Sequence, residues 1–348
     1  MPDAPTPRPS TFDDEIRRRF ARASARSGDP STLMTLTGSY MRRGRFADAE
    51  SLWRGTLEGQ EAELGPDHPQ TAGSLFNLAQ ACYAHGRLDE AEALLERSLA
   101  INEVNLGPDH PVVATIEARL GVIALESGRP EVAEERLLRA LAITESAAGP
   151  DGVEAADART DLGRLYLAIG RPEEAEEHVR RALESYQSSL GLMHAKTAAG
   201  LNNLAVVARL RGRQEEAEAL HRRAVVVAEE AGPPGETGLA DVLENFASFL
   251  DASGRAAAAE EAERRALAVR EEVAGPASLE VAATLARVAR RRVAEGDLAE
   301  AEALLGRELE IEQAALGGEH PAVGITLGRL ASVSVGLGRL VEAEDAAR

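Results

Sequence analysis

The feature that most constrains this chain is a repeat of 42 residues. Glycine stands at 44, 86, 128, 170, 212, 254, 296 and 338, and arginine follows in seven of the eight cases, Asp297 being the exception. Five residues after each glycine comes an alanine, from Ala49 and Ala91 to Ala343, and the next residue is always glutamate, from Glu50 to Glu344. Seven residues before each glycine the side chain is small: Thr37, Ala79, Gly121, Gly163, Ala205, Ala247, Ala289 and Ala331. Three aligned columns in eight copies point to stacked units rather than one central core. Each unit must bury its apolar stripe against its neighbours.

Two helices are legible within one period. Pro69 suits the first turn of the first helix and Gly86 its stop. In the second, Leu88, Ala91, Leu94, Leu95, Leu99 and Ile101 recur at helical spacing on one face. The small columns fall where the two helices cross, because a larger side chain there would hold the backbones apart. Aromatic residues make up only 3% of the chain, too few for the core of a sheet or barrel.

Leu64-Gly65-Pro66-Asp67-His68-Pro69 and Leu106-Gly107-Pro108-Asp109-His110-Pro111 are identical, and Leu316-Gly317-Gly318-Glu319-His320-Pro321 is close. With LNNLA at Leu201 to Ala205 and GRLDEAEALLERSLAI from Gly86 to Ile101, the chain resembles tetratricopeptide arrays of the kinesin-light-chain type. The resemblance implies an all-α, right-handed superhelical solenoid of eight two-helix repeats over residues 29–348, the last truncated. Residues 12–28 are expected to form an N-terminal capping helix, with Phe12, Ile16 and Phe20 on one face, and residues 1–11 a disordered tail. The period departs from the usual 34 residues of the family. The loop motif also decays at Gly191-Leu192-Met193-His194 and Gly232-Pro233-Pro234-Gly235.

The sequence offers little chemistry. His68, His110, His194 and His320 share one loop position a full repeat apart, which suits helix starts and not a metal. Glu176–Arg180, Glu218–Arg222 and Glu260–Arg264 read as i,i+4 pairs on solvated helix faces. Cys82, the lone cysteine, reads as a packing residue, and His85, His178 and His221 as surface or packing histidines. No phosphate-binding loop or nucleophile elbow is present, so neither an enzyme nor a cofactor is expected. A net charge of −19 argues against nucleic acid. The polar, Pro-rich start and the lack of long apolar runs point to a cytoplasmic protein with no membrane association.

In arrays of this kind the first helices line a concave groove. The resemblance therefore implies that the residue two before the small column and the residue after it face a ligand. Those positions supply Asn77, Arg119, Asn203, Asn245, Arg287 and Arg329, then Gln80, Arg164 and Arg290. Tyr83 and Arg209, one turn on, and Asn202 complete the expected lining. Amides can hold an extended peptide backbone and arginines can fork onto carboxylates. The expected partner is a protein or peptide, selected as an acidic or C-terminal segment. Asp157, Asp161, Asp241, Glu244 and Asp251 on the same side make the sign mixed. Two alternatives use other features. One is a sensor or recruitment module of a larger regulatory protein, with the chain continuing past Arg348. The other is a self-assembling structural protein associating through its uncapped last repeat.

Overall fold

The structure, a computed structural model, describes residues 30–42, 44–318 and 320–339. The expected tail, the capping helix and the end of the last repeat lie outside these residues. The described residues form sixteen α-helices and no strand. The chain divides into two compact units, Met1–Met41 with Arg45–Ser127, and Arg42–Gly44 with Gly128–Arg348.

The first unit holds α1 (Pro30–Arg42), which ends at the unit's edge, and α2 (Phe46–Leu64), α3 (Pro69–Ala84), α4 (Leu88–Leu106) and α5 (Pro111–Glu126). Here α3 packs on α2 and α4, and α4 on α5. The second unit holds α6 (Pro130–Ala148), α7 (Val153–Ala168), α8 (Pro172–Leu190), α9 (Ala195–Leu210) and α10 (Gln214–Glu230). It continues with α11 (Pro234–Thr237), α12 (Leu239–Ala252), α13 (Ala256–Ala274), α14 (Leu279–Glu295), α15 (Leu298–Leu316) and α16 (Pro321–Gly336). First and second helices pair as hairpins, α7 with α8, α9 with α10, α12 with α13 and α14 with α15, and each hairpin stacks on the next.

The alanine column explains the close packing. Ala49, Ala91, Ala133, Ala175, Ala217, Ala259 and Ala301 are all fully buried. Opposite them, Ala79, Ala205, Ala247 and Ala289 are no more than 1% exposed. At Gly163 the approach is tighter still, since a Cβ there would lie 2.5 Å from Val179 Cγ2. Between hairpins, Gly65 and Gly107 end their helices at φ +94° and +92°, where a side chain would be strained. The decayed motif after α10 is replaced by the extra short helix α11, and α12 starts at Gly238 with φ +66°.

The glutamate and arginine columns are partners, 37 residues apart, in successive repeats. Arg87 meets Glu50 at 2.6 Å and, with the same offset, Arg213 meets Glu176 at 2.8 Å. Arg255 meets Glu218 at 2.8 Å, Arg339 meets Glu302 at 2.7 Å, and Arg171 meets Glu134 at 3.4 Å. The turn of each such repeat is thereby tied to the second helix of the one before. A further register links second helices at an offset of 36, as in Arg54–Glu90 and Arg307–Glu271.

Candidate functional site

The residues expected to meet a partner are distributed over both units. In the first, Asn77, Gln80 and Tyr83 on α3 and Arg119 on α5 are all partly or fully exposed. Helical geometry places Gln80 and Tyr83 one turn apart, facing the neighbouring first helix. Gln80, Tyr83 and Arg119 surround a recess of about 30 Å³ floored by Leu95, Val122 and Ile123. The Tyr83 hydroxyl donates to Glu126, a contact the sequence reading did not foresee. Arg119 stands apart electrostatically. Arg45, Arg54, Arg87 and Arg97 each hold a carboxylate, whereas Arg119 has no ion pair among the described residues.

In the second unit, Arg164 is 60% exposed and lies 3.6 Å from Asp161. Asn203 and Asn245 are half-buried on the expected faces of α9 and α12. Arg209 borders an open cleft of about 470 Å³, shared with Gln214, Phe249, Ser253 and Arg255. Arg209 and Arg290 carry no ion pair among the described residues.

Several expectations need correction. Asn202 is buried, only 6% exposed, because one step along a helix turns a side chain about 100° away from Asn203 and into the packed face. Arg287 is committed internally, donating to Glu244 at 2.6 Å, and Arg329 donates to Glu308 at 3.1 Å. Their charge is therefore largely spent within the fold. Glu244 itself is 3% exposed and does not line an open face. Burial opposes its charge, yet hydrogen bonds from Arg270 and Thr284 and the guanidiniums of Arg270 and Arg287 hold its carboxyl below the usual range. Glu308 goes the other way: burial pushes its carboxyl up, against the hydrogen bond from Thr326 and the Arg329 charge. A lone charged residue in an otherwise small or apolar column was the signal that could have exposed Glu244.

The acidic stretches are likewise not all solvated. Glu176 is 7% exposed and takes hydrogen bonds from Arg180 at 2.7 Å and from Arg211, with Arg213 at 2.8 Å. Burial disfavours its charge, but hydrogen bonds from the three arginines outweigh that and hold its carboxyl at about 2. Glu218–Arg222 forms as expected at 2.7 Å. Glu260 instead meets Arg292, and Arg264 meets Glu261.

Cys82 is fully buried, and burial, aided by Glu50 and Glu90, pushes its thiol up to about 11. No group of three or more His, Cys, Asp or Glu could hold a metal among the described residues. Nor is any described helix long and apolar enough to cross a membrane.

A family model for the tetratricopeptide repeat matches residues 30–103, 86–146, 112–188, 154–230 and 196–272. Among solved structures, the chain is similar to a putative kinesin light chain with nearly identical TPR-like repeats from Podosopora anserina. Identity is 25%, with 56% of this chain and 92% of that one covered, at a TM-score of 0.50. BtubC (BKLC) from P. vanneervenii is 22% identical, covering 66% of this chain and 92% of that one, with a TM-score of 0.54. The quorum sensor NprR from B. thuringiensis is 12% identical over 96% and 97% of the two chains, TM-score 0.58, a likeness of fold alone. No curated protein matches the chain.

Proposed function

Because the chain belongs to the tetratricopeptide repeat family, of the kinesin-light-chain-like type, we propose that it is a protein-interaction module that binds an extended acidic segment along its first helices. One observation carries the reading. Among the described residues most arginines meet a carboxylate, whereas Arg119, Arg209 and Arg290, which form no ion pair, sit on first helices. On a chain of net charge −19, an unpaired arginine on a first helix is a local attraction for an acidic partner. Asn77, Gln80, Asn203 and Asn245 supply side-chain amide donors and acceptors for a peptide main chain.

The test is selection of a random-peptide display library on the immobilised full chain. The wild type enriches sequences rich in Asp and Glu. A variant carrying Arg119→Gln, Arg209→Gln and Arg290→Gln loses that enrichment while keeping its helical circular dichroism. Enrichment without acidic preference, or one that survives the triple substitution, sinks the acidic reading. A second reading, a sensor module, is favoured by the full-length likeness of fold to NprR, whose name is that of a quorum sensor. It uses the same face.

A further inference from the structure

Four first helices begin with the same unusual cap. His68, His110, His194 and His320 precede α3, α5, α9 and α16 in extended backbone. The Nδ1 of each ring accepts a hydrogen bond from the backbone N–H two residues on. Gln70 donates at 3.2 Å, Val112 at 3.2 Å, Lys196 at 3.1 Å and Ala322 at 3.2 Å. The usual N-cap acceptors are the oxygens of Ser, Thr, Asp and Asn, which remain acceptors across the neutral range. An imidazole nitrogen accepts only while it is unprotonated. Two sister positions lack this dependence. Gly152 before α7 has no side-chain cap, and Ser278 before α14 caps through its hydroxyl, with Val281 N–H donating at 3.3 Å.

We propose that these four rings are a distributed proton-sensitive latch: acidification uncaps α3, α5, α9 and α16 and loosens the first turns of helices that carry proposed partner-binding residues. The latch itself stands on the cap geometry, and only its effect on binding rests on the proposed function. The sign is fixed by chemistry. A ring that gains a proton at Nδ1 loses its bond and sets a positive charge at the positive end of a helix. The contribution is therefore present while the rings are neutral and lost as they take up protons.

The charged groups around the rings come from several elements. Asp67 adjoins His68, and Arg97 of α4, paired with Glu61 of α2 at 2.6 Å, reaches the Pro66 carbonyl at 3.1 Å. Asp109 adjoins His110 and Glu319 precedes His320 in sequence. Near His194, Lys196 is held on Asp157 of α7 at 2.7 Å. None of these side chains bonds to a capping ring among the described residues, so the N–H bond is each ring's own. The remaining histidines cap no helix through their side chains. His85 sits on Glu50 at 2.7 Å, and burial pushes His178 down and His221 down to about 4.

The test is hydrogen exchange by mass spectrometry on the full chain at pH 7.5 and 5.5, corrected for intrinsic rates. It compares wild type with a variant carrying His68→Asn, His110→Asn, His194→Asn and His320→Asn, whose caps do not titrate. Acidification is expected to cut protection in the first turns of the four helices roughly three- to tenfold beyond that of α14, in the wild type only. Equal loss in α14, or equal loss in the variant, overturns the latch. If the variant fails to fold, the wild-type contrast with α14 decides alone. The acidic peptide recovered by library selection should bind more weakly at pH 5.5 to wild type but not to the variant. If the exchange pattern appears and no peptide binds at either pH, the latch stands and the binding reading falls.

Discussion

Two junctions of the second unit solve the same problem with different residues. Between α8 and the turn before α10, Glu176 meets Arg213 at the usual offset, with Arg180 and Arg211 added, and its side chain is 9% exposed. Between α13 and α15 the arginine of the column is Asp297. Arg292 reaches Glu260 instead at 2.6 Å, while Asp297 is free to cap α15 by accepting from Glu300 N–H at 3.1 Å. There burial is reversed: Glu260 is 49% exposed, while Arg292 is 13% exposed and also meets Glu295 at 2.9 Å and Glu300 at 2.8 Å. The difference teaches that the stack demands a neutralised carboxylate at each junction and not a particular arginine. Burial then decides what the pair is worth: breaking a buried pair strands a charge, whereas an exposed pair contributes little. Next to the atypical junction, Glu244 gathers Arg270 from α13 and Thr284 and Arg287 from α14.

The comparison can be sharpened by substitution, read as urea unfolding of the full chain. Glu244→Ala leaves Arg270 and Arg287 without their buried partner and should cost about 3 kcal/mol. Glu176→Gln should cost about 2 kcal/mol at pH 7, less because its arginines are partly solvated. Its signature is in the pH dependence. With the carboxyl held at about 2, Glu176 contributes stability above the ordinary glutamate range near ~4.3, and loses it as pH falls from there to about 2. The variant should lack that loss. Gly163→Ala forces a Cβ onto Val179 and should cost roughly 1.5 kcal/mol, which Val179→Ala relieves in the double variant. Arg292→Ala should cost less than about 1 kcal/mol, and adding Asp297→Arg should recover part of it. If Arg292→Ala instead matched Glu176→Gln, burial would not be what separates the junctions.

Much of the fold was legible because periodicity is a collective signal. The alanine and small-residue columns mark helix crossings directly, and the loop histidines announce helix starts. The pairing of Glu50 with Arg87 and its sister pairs was visible as two columns but not as one contact, since the offset of 37 crosses a repeat boundary. The break at Asp297 was the clue, because a reversal of charge calls for compensation nearby. The candidate site was legible only in part. Column position does not distinguish half-buried Asn203 from buried Asn202, or half-buried Asn245 from buried Glu244, because a single helical step decides burial. Whether an arginine is free, as Arg119 is, or committed, as Arg287 is to Glu244, depends on a partner 43 residues away that no local pattern names.

The cross-repeat pair also has a direction. At five junctions a repeat presents an acid forward to its successor, which returns a base, like couplings on railway carriages. A duplicated stretch of one period thus arrives with both couplings in place, and loss of one period lets the flanking units join. Lengthening or shortening by whole periods would keep the couplings in register, whereas an insertion of another length would shift them.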